Sequence, residues 1–433
     1  MAARILAKVE VKFDGTNYND ISAYTRRVTI NYGRAHLLED DFRAGSCSIE
    51  LDNTGGEFTP GHPGASYGDS QLINREVRIS TEVVGGSDSY ATYLWRGRIA
   101  DVDYIAQQST STVYLRTVDG FDKLAKAQIL SQAFSAQYTG LRIANVLDLA
   151  SVDYPDESSP DDRDIDLGFV YLTAASGVTS TALDYLQKIA RSEGGRFLVN
   201  HAGAPSATNF GGVLQFYARN ASTDDMGITV SDAVTLGAGS VEAAGLNLEW
   251  GSELLFNSFQ WTDSAGGVQT GSNAASITKY GERVSKKTLL SDASTTDESG
   301  DYFIGLFDEP ALRPSQVVVQ IDAAPPADAE KLLHLHVNSA IDLSYLPTGS
   351  STTLSGAYVI EGVTLDIGVR DMSTNAASIR ATYSTSTADT TGYWVLDDPA
   401  LSVFPTLLAP SWVDTSSWRL DDPDRDVLPT QLG

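Results

Sequence analysis

A single cysteine in 433 residues, Cys47, excludes an intramolecular disulfide, so packing or assembly has to stabilise the chain. Cys47 occupies an apolar position of an alternating run, which suits a small buried hydrophobe better than a reactive thiol. Nowhere do about 18 apolar residues run together, so no membrane-spanning helix and no stable membrane insertion are expected. The opening MAARILAKVEVKF lacks an uninterrupted apolar core, so no signal peptide is expected and synthesis in a cytoplasm is. Cations are scarce: 30 Lys and Arg stand against 56 Asp and Glu, a formal charge of −26. Such a surface repels nucleic acid, which excludes tight DNA binding by phosphate neutralisation. It serves ordinary solubility, or a passage to which DNA must not stick.

Catalytic signatures are missing as well. The chain has no G-x-S-x-G, H-E-x-x-H, phosphate loop or dinucleotide fingerprint. His36, His62 and His201 stand beside turns or strand ends without a Ser or Cys partner motif. His334 and His336 in LHLHV share one face if that run is a strand, with Asp342 close by, but a third ligand is not evident. Asp162, Asp164 and Asp166 alternate as in a calcium loop, yet Gly168 comes one place late and Thr173 stands where a bidentate Glu belongs. A solvated acidic loop is the expectation there. Asp101 and Asp103 share a strand face that turn or rim positions explain equally well. Neither a catalyst, a metal nor a cofactor is expected.

What the chain has in quantity is short strands. Ile5, Ala7, Val9 and Val11 alternate, and RRVTINYGR, REVRIST, YLWRGRIADV and STVYLRTVDGF follow the same period of two. In FRAGSCSIELDNTGGEFTP, Cys47, Ile49 and Leu51 alternate with polar residues, and Asp52, Asn53, Thr54, Gly55 and Gly56 then stop the strand. Both glycines are free to take positive φ, so Asp52, Asn53, Gly55 and Gly56 form a candidate turn that fixes strand register. Residues 1–125 thus predict an all-β barrel or sandwich.

Between 126 and 220 the pattern changes to an α/β module. GLRIANVLDLAS carries Ile143, Val146, Leu147 and Ala150 at helical spacing. STALDYLQKIARSEGG puts Leu183, Leu186, Ile189 and Ala190 on one face, with Thr179, Ser180 or Thr181 as N-cap and Gly194-Gly195 as the stop. GRFLVNHAG and GVLQFYARN predict a hairpin. Residues 221–390 are β-rich again, through ELLFNSFQW, ASITKYGER, SQVVVQID, AIDLSYLP, GAYVIEGVTLDIG and AASIRATYST, with one helix around DESGDYFIGLFDE. There Tyr302, Phe303, Leu306 and Phe307 make the apolar face. Residues 391–433 are an extended arm with a repeated W-x-L-D-D-P, at Trp394 and again at Trp418. Trp394, Leu396, Trp412, Trp418 and Leu420 are its candidate interface residues, because exposed tryptophan is enriched at contact surfaces. Docking on another protein and covering the chain's own barrel are both open.

ISAYTRRVTINYGR, FRAGSCSIELDNTGGEFTP, LINREVRIS, LWRGRIADVDY and VYLRTVDGFDKLAK, in that order, resemble the minor tail proteins of long-tailed phages that infect actinobacteria. Those proteins have a strand ending in a Gly-Arg-like pair, an A-G-x-x-x-x-x-L-D-N turn, an F-x-P and an R-P-V-R-I-like strand; here Asn74 replaces that proline and Glu76 follows the arginine. The likeness continues through RIANVLDLA, ALDYLQKIARSEGGRFLVN and ASITKYGER, and covers residues 1 to 390. It implies a mainly β fold of two tail-tube-like β-barrel domains, a helix-containing insertion and the arm. It further implies a trimeric baseplate hub of the tail tip, a virion protein that continues the tail tube, adapts six-fold to three-fold symmetry and forms part of the DNA ejection channel. Its expected partners are two further copies of itself, a distal tail protein or the tail tube above, and other tip proteins below. DNA passes through the lumen without sticking. In that ring the β-unit at 42–60 is expected to offer an exposed edge to neighbouring copies. The alternatives are a distal tail protein, a receptor-binding adhesin whose Tyr90, Tyr93 and Trp95 stack on sugars, and, as a third class, a cell-wall hydrolase.

Overall fold

In the computed structural model the described residues are 2–36, 41–63, 65–67, 72–86, 92–106, 111–155, 162–201, 211–219, 221, 223–232, 240–249, 255–310, 313–347 and 353–387. The candidate interface residues Trp394, Leu396, Trp412, Trp418 and Leu420 lie outside them, as does Tyr90.

The N-terminal strands are β1 (Ile5–Val11), β2 (Asn19–Asp20), β3 (Thr25–Gly33), β4 (Arg43–Asp52), β5 (Glu76–Val83), β6 (Thr92–Ala106) and β7 (Ser111–Val118). Their alternation is real: Ile5, Ala7, Val9 and Val11 are all buried, as are Cys47, Ile49 and Leu51. Burial pushes the Cys47 thiol well above its ordinary pKa, which fits an inert packing role. The first insertion follows, with α1 (Phe121–Lys126), β8 (Gln128–Phe134), β9 (Gln137–Tyr138), α2 (Thr139–Leu147), β10 (Arg163–Ile165), β11 (Tyr171–Leu172), β12 (Ala175–Thr181), α3 (Ala182–Glu193), β13 (Arg196–Asn200) and β14 (Val213–Tyr217). Helix α3 starts where the Thr181 hydroxyl accepts from Asp184 N–H, and ends at Gly194 with φ +70°. The predicted hairpin is β13 against β14, antiparallel from Arg196↔Tyr217 to Asn200↔Val213.

Strands β15 (Asp224–Ser231) and β16 (Ser240–Glu249) return to the large sheet, and a second insertion interrupts it: β17 (Ser258–Thr262), β18 (Val268–Ser272), α4 (Ala274–Tyr280), β19 (Val284–Thr288) and α5 (Ala293–Phe307). Its three strands form their own sheet, and Phe259, Trp261, Leu289 and Ile304 make a small core separate from the main one. Helix α5 faces that sheet with Ile304 and Phe307, while Tyr302, assigned to the apolar face from sequence, is exposed. The chain then continues through β20 (Arg313–Gln320), α6 (Pro326–His334), β21 (Ser339–Tyr345), β22 (Leu354–Asp371) and β23 (Ala376–Thr387).

Two readings fail here. ASITKYGER is helix α4 rather than a strand, because the Asn273 side chain accepts from Ala275 and Ser276 N–H and so nucleates a turn that Gly281, at φ +78°, ends. The LHLHV run is not a strand either: His334 closes α6, begun by Pro326 and buried through Ala329, Leu332 and Leu333, and His336 follows it. Among the described residues three α-helices therefore lie where one was expected.

The large sheet closes on itself twice. One circuit runs β1–β5–β6–β7–β4–β3–β22–β23 and back to β1, antiparallel at every step. The other runs β23–β20–β16–β15–β21–β22, with β15 parallel to both β16 and β21. Both use the hairpin of β22 and β23. Strand β22 pairs with β21 up to Val359 and with β3 from Gly362, so one long strand belongs to both barrels in turn. Closure leaves no free edge at β4, which has β3 on one side and β7 on the other. The expected exposed edge at 42–60 is thus absent, since its backbone groups are already satisfied within the chain.

Candidate functional site

The handover in β22 is the most constrained place in the molecule. Between Ile360 and Gly362 the register of β22 against β23 slips, and Glu361 is the extra residue. Its carboxylate is fully buried. It accepts from Arg34 Nε at 2.7 Å, Arg196 Nη2 at 3.2 Å and Ser386 Oγ at 2.7 Å. Burial by itself works to raise its pKa, but the Arg34 and Arg196 guanidiniums and the Ser386 hydroxyl bring it down to about 2. Arg34 also lies over the Phe42 ring, 4.4 Å from its centroid. Three parts of the chain thus meet on one carboxylate: the end of β3, the insertion strand β13 and the shared hairpin.

Backbone contact at this crossing explains the Gly-Arg pair that closes RRVTINYGR. Gly33 has φ +97°, and a Cβ there would sit 2.4 Å from Glu361 O and 2.6 Å from Gly362 Cα. A Cβ on Gly362 would in turn sit 2.4 Å from Arg34 O. Two glycines let β3 and β22 touch, Arg34 N–H donates to Glu361 O at 2.8 Å, and the arginine side chain then drops onto the carboxylate.

The same logic explains the alanine-glycine pair at 44–45. Gly45 N–H donates to Asp119 Oδ2 at 2.6 Å, and a Cβ at Gly45 would meet that oxygen at 2.5 Å. Asp119 also accepts from Phe121 N–H at 3.0 Å, tying α1 to the first barrel, and burial raises its pKa to about 7. Beside it His201 is buried against Trp95, ring to ring at 4.3 Å. Its pKa falls to about 3, by burial first and then by the Arg96 charge. Trp95 is 0% exposed, so it is a core residue and offers no face to a sugar; Tyr93 is half-buried.

At the candidate turn, Asp52 Oδ1 accepts from Thr54 N–H at 2.9 Å and faces Arg26 at 3.0 Å. Buried Asn53 is the hub of the turn. Its Oδ1 accepts from Phe58 N–H at 2.9 Å, and its Nδ2 donates to Thr59 at 2.8 Å and Ser111 at 3.1 Å. Of the two glycines only Gly56 takes positive φ, +77°; Gly55 does not. Phe58 plugs beneath the turn, stacked on Tyr67 at 5.3 Å and edge-on to Tyr24 at 5.4 Å.

The remaining polar candidates are dispersed. His336 Nε2 lies 3.1 Å from Asp224 and its Nδ1 3.2 Å from Ser339 Oγ, while Asp342 stands on β21. Asp164 and Asp166 accept from Gln215 Nε2 and Ala218 N–H, at 3.1 and 2.9 Å, beside strand β10, which pairs in parallel with β14. Asp162 is buried. Asp103 pairs with Arg116 at 2.7 Å on the outside of the first barrel, and Asp101 follows a register slip in β6. Among the described residues no group of three or more His, Cys, Asp and Glu is placed to hold a metal. Sequence reasoning missed Glu361 and Arg196; the only signal was a lone glutamate inside the apolar run AYVIEGVTL.

The chain matches no family profile and no curated protein. Among solved structures it is similar to the tail protein from Neisseria meningitidis MC58, with a TM-score of 0.53 at 10% identity over 88% of this chain and 96% of that one. It is also similar to the 43 kDa tail protein of prophage MuSo2 from Shewanella oneidensis, with a TM-score of 0.52 at 12% identity and the same two coverages, 88% and 96%. At those identities the likeness is one of fold: the chain has the fold of phage tail proteins.

Proposed function

We propose that this chain is a structural protein of a phage tail tip, a hub that assembles as a trimer, continues the tail tube and forms part of the DNA conduit. One observation supports this reading most: two closed β-barrels built on one shared hairpin, in a fold held in common with two phage tail proteins along 88% of the chain. Three copies would supply six β walls around an axis. The two walls are unlike, one antiparallel throughout and the other carrying parallel pairs, which departs from the two equivalent tube-like modules expected from the resemblance. A ring of three copies is then three-fold, with six places filled by two kinds of wall. That is what an adapter between a six-fold tube and a three-fold tip requires. The charge of −26 suits a lumen past which DNA slides. Contacts with a distal tail protein or tube above, with other tip proteins below, and by the arm at 391–433 with one of these belong to the same proposal. The actinobacterial host rests on the order of the sequence motifs across residues 1–390. The role asked of the chain is mechanical rather than catalytic.

The test is the symmetry and stoichiometry of the chain in intact particles, by cryo-electron microscopy. Three copies around the pore support the hub. Six copies in a ring support a distal tail protein instead, and peripheral copies away from the pore support an adhesin. Either of the latter sinks the proposal, as does a basic inner wall in the assembled ring.

A further inference from the structure

The segment Leu167–Leu172 is apolar on both faces. Val170 and Leu172 point into the core, 2% and 0% exposed, whereas Leu167, Phe169 and Tyr171 alternate with them and stand 56%, 60% and 53% exposed. Only Tyr171–Leu172 of it is strand, and among the described residues nothing covers its outer side chains. Tyr138 and Leu141, also exposed, extend the surface, and the Tyr138 and Tyr171 rings meet edge to face at 5.3 Å across the β9–β11 pair.

The exposure is built rather than accidental. Buried Glu193, on the last turn of α3, accepts from Phe169 N–H at 3.1 Å, from Val170 N–H at 2.9 Å and from Thr139 Oγ1 at 2.8 Å. Gly140 N–H donates to Leu167 O at 2.9 Å, and a Cβ at Gly140 would lie 1.8 Å from Asp166 O, so only glycine lets the segment lie this close to α2. Buried Arg142, from α2, ties the flanking strands together through Ser135 O at 2.6 Å and Thr173 O at 3.0 Å. A carboxylate inside thus holds a phenylalanine outside.

The geometry points to this face as the docking site of a different protein, one that presents apolar side chains flanked by Lys or Arg. Each half-exposed aromatic ring offers about 100 Å² and the patch roughly 500 Å² in all, the size of the largest patch on a typical monomer, which is often a functional one. A contact through this patch alone buries about 1,000 Å² in total, the size of a weak or transient interface whatever the partner. Charge selects the partner. Asp164 is exposed and Asp166 half-exposed at the margin of the patch, Arg163 is turned inward onto Asp148, and Arg219 onto Glu193. A second copy paired through the same face would bring the same acidic margin, whereas a basic margin is attracted.

The test uses the full chain and two short fluorescent peptides with one Leu/Phe centre, flanked by lysines in one and by glutamates in the other. Anisotropy should show the lysine-flanked peptide binding, about tenfold more weakly at high salt and about tenfold more weakly to Phe169→Ser/Tyr171→Ser. That variant should melt like the parent, since both side chains are outside. Equal binding of the two peptides, no binding of either, or binding untouched by the double variant overturns the proposal. Sedimentation that shows self-association lost in the variant overturns it too, in favour of a second copy. The peptide outcomes leave the number of subunits around the pore untouched, whereas lost self-association would place this face at the contact between copies.

Discussion

The junction at Glu361 and the outer face at Phe169 invert the usual arrangement of polar and apolar groups in opposite senses. At the junction a charge is inside, held by two arginines and a hydroxyl; at the outer face three large apolar side chains are outside, held there by a buried carboxylate. Each is unfavourable alone, and each is fixed by hydrogen bonds that leave no alternative. The difference teaches where the chain completes itself and where it waits. Charges buried with their partners join segments of one polypeptide, whereas apolar groups presented on a rigid support have their partner elsewhere.

The largest effect is expected from breaking the junction. Arg196→Met leaves Glu361 buried with half of its positive charge gone, and urea unfolding should report a loss of about 3–5 kcal/mol. Acid should do the same to the parent. Glu361 titrates at about 2 when folded and near 4.3 when unfolded, so its contribution is whole above pH ~4.3 and disappears as pH falls towards 2. That amounts to about 3 kcal/mol, read as the part of the acid fall in unfolding midpoint that Glu361→Gln removes. Buried His201, whose pKa falls from 6.5 to about 3, contributes a separate fall in both proteins. Asn53→Ala strips Phe58 N–H of its acceptor in a buried turn and should destabilise by about 2 kcal/mol in the same assay. Thr181→Ala removes the N-cap of α3, the helix whose far end carries Glu193, and about 1 kcal/mol is expected by thermal melting. The outer face closes the series: Phe169→Ser/Tyr171→Ser should change stability by no more than about 0.5 kcal/mol. A large loss there would mean that the face belongs to the chain's own core and would erase the comparison.

Much of the strand content is legible in the sequence. Alternation at Ile5–Val11 and Cys47–Leu51 gave the inner faces correctly, and helical spacing with a threonine cap and a glycine stop gave α3. Helix α4 was misread because an Asn cap and a Gly stop outweighed the strand-like run between them, and α6 because LHLHV hid the end of a helix begun at Pro326. The turn at 52–56 was recognised, but only the structure separates Gly56, which needs positive φ, from Gly55, which does not.

Local chemistry thus set the strands, their inward faces, the capped helix and the acidic balance, because each depends on residues within a few positions of one another. Only the tertiary structure decided that one hairpin serves two barrels, that β4 has no free edge, and that Arg34, Arg196 and Ser386 converge on Glu361. Those facts rest on pairings between residues as much as 372 positions apart, as Ile5 is from Ala377, and a period of two or 3.6 carries no information about which strand lies next to which.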